Sequence, residues 1–145
     1  MSEVMRKGAC LCGAVRVEAA LKAPEIGACH CGQCRTWTGG SPYYCVEIER
    51  APVEGEDNIG VYAASEWGER GFCKTCGTTL FWRMKGKPLS NLAAGLFDDQ
   101  TGLAVASEIF TDRRAPWQTA FEGATQSTEA EEFAKLDAAL AGDRP

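Results

Sequence analysis

Seven cysteines in three tight groups limit what this 145-residue chain can fold into. The groups are Cys10-Leu11-Cys12, Cys29-His30-Cys31-Gly32-Gln33-Cys34 and Cys73-Lys74-Thr75-Cys76, and an eighth cysteine, Cys45, stands alone. In a reducing compartment cysteines so spaced hold metal more often than they cross-link. Residues 1–7, Met-Ser-Glu-Val-Met-Arg-Lys, lack the apolar stretch of a secretory signal. A cytoplasmic setting with free thiols is therefore expected. No apolar run approaches the roughly 18 residues of a membrane span, so no membrane partner is expected.

The first and last groups read as knuckles. In such a turn two thiolates face one metal, and backbone amides past them hydrogen-bond to sulfur. A glycine just after the second cysteine accepts the left-handed backbone the turn often needs, and Gly13 and Gly77 hold those places. Two knuckles supply four thiolates, the closed tetrahedral set of a structural zinc. Cys10, Cys12, Cys73 and Cys76 would then tie the N-terminus to the middle of the chain, a useful staple for a small core. The plainer alternative is four reduced core cysteines.

The middle group differs. Cys29, Cys31 and Cys34 offer three thiolates within six residues, with no obvious fourth protein ligand. Three protein ligands and an open position is the pattern of a catalytic zinc. Cys45 lies in an expected strand, either as a small buried hydrophobe or as a residue near, or completing, this second site. His30, the only histidine, sits between two expected ligands and is read as a neighbour of the metal rather than a ligand.

Around the cysteines the chain reads as one mainly-β domain over residues 1–145, with a few small helices. Strands are expected at 14–21, where Val15, Val17 and Ala19 alternate with Arg16 and Glu18, and at 43–49, 59–63, 78–84, 92–97 and 104–110. Residues 22–28, with Pro24 and Gly27, read as a loop. Thr128 and Glu131 have capping-box spacing ahead of Ala130, Phe133, Leu136 and Leu140, so 127–141 reads as a short amphipathic helix closing over the sheet. Net charge is −5, and Lys and Arg are scattered. No basic patch marks a nucleic-acid binder.

Taken together, Cys10-Leu-Cys12-Gly13, Cys29-His-Cys31-Gly-Gln-Cys34-Arg35 and Arg70-Gly-Phe-Cys73-Lys-Thr-Cys76-Gly77-Thr78 resemble the motifs of the glutathione-dependent formaldehyde-activating enzyme family, also called the GFA or centromere-protein-V domain. The resemblance covers about residues 6–118, and Leu96-Phe97-Asp98 and Trp117 resemble further landmarks. It implies antiparallel sheets of the Mss-type (β-tent) fold, shared with Rab exchange chaperones and methionine sulfoxide reductase B. It also implies a structural zinc on Cys10, Cys12, Cys73 and Cys76 and a catalytic zinc on Cys29, Cys31 and Cys34. The reaction it implies is the union of formaldehyde with glutathione as S-(hydroxymethyl)glutathione, a carbon–sulfur lyase reaction run in reverse.

Zinc suits this reaction because coordination holds a thiol as the nucleophilic thiolate. Many members of the family carry His-Ile where this chain has Glu108-Ile109. Glu108 could serve there, but reads more simply as a surface residue. Arg35, Arg70 or Lys74 could meet the carboxylates of glutathione, the expected small-molecule partner, although each taken singly reads more simply as a solvated or structural charge. The alternative function is a non-catalytic, zinc-stabilised binding module of the same fold. Methionine sulfoxide reduction would require Cys45 as its redox thiol.

Overall fold

Valine and alanine alternation after the first cysteine pair does produce a strand, and a longer one than the local pattern suggests. In the computed structural model, which describes residues 4–142, β1 (Val4–Ala9) and β2 (Arg16–Cys29) form an antiparallel hairpin, with Val4 opposite Leu21 and Ala9 opposite Arg16. The hairpin turn carries Cys10 and Cys12. The expected loop at 22–28 is instead the second half of β2. Pro24 interrupts no pattern there because it lies exposed, where a missing N–H costs little.

The chain packs as two compact units. One comprises residues 4–26 and 44–104, the other 27–43 and 105–142. The chain passes between them within β2, within β3 (Tyr43–Arg50) and at the start of β9 (Ala104–Ile109).

The first unit is all strand and turn. β2 also pairs with the short β4 (Val53–Glu54), and β3 pairs antiparallel with β8 (Asn91–Ala93), Cys45 opposite Ala93. The expected strand at 92–97 stops at Ala93, and Ala94–Leu96 form a 3-10 turn. A separate three-stranded antiparallel sheet holds β5 (Ile59–Tyr62), β6 (Gly68–Cys73) and β7 (Thr79–Met84). Glycines in that sheet are matched to rings. A Cβ on Gly71 would lie 2.3 Å from the Phe81 ring, and one on Gly60 would lie 2.5 Å from the Phe72 ring. Both pairs face each other across the ladder, an aromatic covering a glycine. Asn91 uses its amide on the backbone of Trp82, donating to the carbonyl at 2.7 Å and accepting from the N–H at 3.4 Å. Val17, Ala19, Leu21, Val46, Ile48, Leu80, Phe81, Leu92 and Phe97 form the buried core of this unit.

The second unit is built on β9. The helix α1 (Gly32–Thr38) begins at Cys31 and stops at Gly39, a left-handed residue whose N–H returns to the helix's last turn. β10 (Thr125–Ser127) runs parallel to β9, so the sheet that holds them is mixed rather than purely antiparallel. Residues 110–124 supply the crossover a parallel neighbour requires. The helix α2 (Glu129–Gly142) starts two residues later than expected. Its capping box is formed in both directions: the Thr128 hydroxyl accepts from the Glu131 N–H at 3.3 Å, and the Glu131 carboxylate accepts from the Thr128 N–H at 3.1 Å. Phe133 meets Phe110 edge-on, centroids 5.9 Å apart, while Ala130 stays exposed. The side chain of Leu140 lies outside the described residues. No helix among the described residues is long and apolar enough to cross a membrane.

Candidate metal centres

Two hairpin turns of the first unit bring together the first and last cysteine pairs. In the β1–β2 turn Cys10 N–H donates to Val15 O at 3.0 Å and Gly13 N–H to Cys10 O at 3.1 Å. In the β6–β7 turn Cys73 N–H donates to Thr78 O at 3.0 Å and Gly77 N–H to Cys73 O at 2.8 Å. Gly13 and Gly77 adopt φ of 79° and 76°, the left-handed backbone expected at both places. The Leu11 N–H donates to the Thr78 hydroxyl at 3.1 Å and joins one turn to the other.

The sulfurs of Cys10, Cys12, Cys73 and Cys76 all lie within 4.8 Å of one another. Cys10 to Cys12 is 3.6 Å and Cys12 to Cys73 is 3.7 Å. Four sulfurs about 2.3 Å from a tetrahedral zinc would be roughly 3.8 Å apart, so the spacing fits a zinc ion. Donors surround the group as thiolates need. The Val15 N–H reaches Cys10 Sγ at 3.3 Å, and the Asn58 amide reaches Cys73 Sγ at 3.2 Å. The Thr78 hydroxyl, 3.1 Å from Cys76 Sγ, draws that thiol down to about 5 against its burial. Cys12 goes the other way. The Ala14 N–H lowers it, but burial and the other three thiols push it up to about 11. Four thiolates in this space repel one another, and a divalent cation removes that repulsion.

The middle group forms in the second unit, where β2 ends and α1 begins. The sulfurs of Cys29, Cys31 and Cys34 lie within 4.8 Å of one another, and no fourth His, Cys, Asp or Glu among the described residues joins them. Cys31 caps α1, its Sγ accepting from the Cys34 N–H at 3.3 Å. Cys34 is buried, and Cys29 and Cys31 are half-buried. Crowding by Cys31 and Cys34, with burial after it, raises the Cys29 thiol well above the ordinary thiol range. This donor set also fits a soft divalent cation, whose charge would reverse that shift.

The other expected residues fall in different places. Cys45 is half-buried on β3 opposite Ala93 and belongs to neither sulfur group. His30 is not in the sulfur group either, and its ring is fully buried, with Nε2 2.7 Å from Glu108 Oε1. Glu108 is therefore no surface residue: its side chain is wholly enclosed in β9. Arg35 lies on α1 beside Cys34 and donates from Nε to His30 O at 3.2 Å. Arg70 and Lys74 belong to the other unit, Arg70 buried in β6 and Lys74 bonded to Asp57 O at 3.0 Å. A cavity of about 350 Å³ opens among Val17, Val53, Val61, Leu80 and Leu92, and no cysteine lines it. Of these hydrogen-bond partners, Asn58 is not singled out from sequence, Thr78 enters only as the end of the third motif, and Glu108 is weighed as a site residue but reads as surface-facing. Only Thr78, two residues past Cys76, carried a local signal, as the polar residue closing a knuckle.

Comparison with known proteins gives the same family that the motifs resemble. A crystal structure of a Rhodobacter sphaeroides protein shares the fold at a TM-score of 0.54, with 21% identity over 84% of this chain and 99% of that one. An uncharacterized lyase of Schizosaccharomyces pombe is 35% identical over 108 residues, 73% of this chain and 78% of the yeast protein. The model of the glutathione-dependent formaldehyde-activating enzyme family matches residues 5–113, which include all seven grouped cysteines, and the chain belongs to that family.

Proposed function

We propose that this protein is a zinc-dependent carbon–sulfur lyase acting on a small thiol adduct, forming S-(hydroxymethyl)glutathione from glutathione and formaldehyde in a fold of the Mss type. The observation that carries the reading is the three-sulfur group of Cys29, Cys31 and Cys34, which no fourth ligand closes among the described residues. A closed four-sulfur group elsewhere in the chain meets any need for a structural staple. The family's name and the yeast relative's description as a lyase support the same reading.

A zinc ion held by the three sulfurs would keep an incoming thiol as its thiolate at neutral pH. In the reaction the thiol sulfur attacks the formaldehyde carbon, a C–S bond forms, and the C=O π pair moves to oxygen and takes up the proton. Every atom of both reactants remains in the product. The chain's part is to fix the three sulfurs and the approaching substrate. Arg35, one residue past Cys34 and anchored at Nε to His30 O, would be the cation to meet a glutathione carboxylate.

The test is condensation of formaldehyde with glutathione, followed against buffer and glutathione alone. The wild-type chain should exceed the uncatalysed rate and Cys31→Ser should not. A wild-type rate equal to buffer overturns the lyase reading and leaves a zinc-stabilised binding module.

A further inference from the structure

His30 is held at three points. Its N–H donates to Ile109 O at 3.0 Å, its carbonyl accepts from Arg35 Nε at 3.2 Å, and its ring meets Glu108 Oε1 at 2.7 Å. Two of those three anchors come from β9. The residues on either side, Cys29 and Cys31, supply two of the three gathered sulfurs. A residue fixed at its N–H, its carbonyl and its ring leaves the flanking Cα atoms little freedom.

Glu108 is itself over-determined. Oε2 accepts from the Phe121 N–H at 2.8 Å and from the Gln126 amide at 2.7 Å. Gln126 stands opposite it on β10. Arg114 lies 3.5 Å from Oε1 and also donates to the Gln126 side-chain oxygen. A carboxylate surrounded by donors can only accept, so Nε2 of His30 carries the hydrogen. His30 Nδ1 has no partner among the described residues. The ring is thus held through one nitrogen alone. Directly after this pair, Phe110 takes a left-handed φ of 56°, rare for a bulky residue, and turns the chain so that Arg114 returns beside Glu108.

We infer that Glu108 is the positioning residue of the three-sulfur centre: through His30 it sets the directions of Cys29 and Cys31 before metal arrives. The inference rests on the reading of Cys29, Cys31 and Cys34 as a metal centre. Residues that orient ligands from behind typically govern metal affinity by 10–100-fold.

The experiment measures zinc retained per full-length chain against buffered free zinc, which resolves the two centres as two midpoints. The variants are Glu108→Ala, His30→Ala and the double variant. Glu108→Ala should weaken the three-sulfur centre by about 10–100-fold and leave the four-sulfur midpoint in place. The double variant should be no weaker than His30→Ala alone, because Glu108 acts through that ring. Glu108→Gln, which still offers one oxygen to His30, should recover most of the affinity, and it carries the comparison should Glu108→Ala fail to fold. An unchanged three-sulfur midpoint overturns the inference, as do additive losses in the double variant. Loss of both midpoints together in Glu108→Ala and Glu108→Gln marks a role in the fold alone and overturns it too. A wild-type chain that holds only one zinc sinks the function reading and this inference with it, whereas two zincs in wild type with insensitive variants sink this inference alone.

Discussion

The imidazole of His30 and the carboxylate of Glu108 meet at 2.7 Å, and both side chains are completely enclosed although 78 positions separate them. Burial alone would raise the Glu108 carboxyl. The donors from Gln126, His30, Phe121 and Arg114 outweigh it and hold the group below the ordinary carboxylate range. Removing that carboxylate strands several buried donors at once. Glu108→Ala should therefore cost about 3–5 kcal/mol, the cost of breaking a buried charged pair. Denaturant unfolding at neutral pH measures it, and a loss below about 1 kcal/mol would contradict this description of the pocket.

The four-sulfur group joins two hairpin turns, with Cys12 and Cys73 61 positions apart. Zinc bound there would contribute folding free energy, on the order of 10 kcal/mol in small zinc peptides. Cys76→Ser should lower the melting temperature sharply and remove one zinc per chain. A variant with full zinc content and unchanged melting would refute the assignment.

Cys31→Ser tests the division between the two groups. Its three cysteines close no long loop, so the melting temperature should fall far less than in Cys76→Ser, while the proposed thiol-adduct chemistry should be lost. Equal destabilisation by both substitutions would mean that the two centres share one structural task.

Glu131 should show its cap in a titration. Hydrogen bonds from the Thr128 N–H and hydroxyl hold its carboxyl below the usual value. A carboxylate whose folded pKa is depressed stabilises the helix above its unfolded pKa of about 4.3. That contribution disappears as pH falls through the lower, folded value. Carboxyl chemical shifts should place the Glu131 midpoint below about 4.3, and Thr128→Ala should move it upward. A midpoint unaffected by Thr128→Ala would rule out the reciprocal cap.

Gly71 tests the small sheet. Its missing Cβ makes room for the Phe81 ring, which would otherwise stand 2.3 Å away. Phe81 is buried and cannot swing out freely. Gly71→Ala should cost about 1–3 kcal/mol in denaturant unfolding. Full stability in that variant would show that the ring has space to yield.

Sequence alone determined the features that depend on a few neighbouring residues. The three cysteine groups, the left-handed Gly13 and Gly77, and the Thr128–Glu131 box each act within one turn, so spacing and residue type suffice to read them. The knuckle spacings also pointed to Cys10 and Cys12 lying with Cys73 and Cys76, whose sulfurs the fold brings within 4.8 Å of one another. Where a strand's partners decide its extent, local reading failed. Residues 22–28 carry loop punctuation yet continue β2, and β6 hides its strand character because Gly68 and Gly71 lend their space to rings on β7. Glu108 shows the limit most clearly. A lone glutamate in a strand reads as solvent-facing, because isolated buried charge is costly. Only the tertiary structure brings His30, Arg114, Phe121 and Gln126 around it, and their four donors offset the cost of burying the charge.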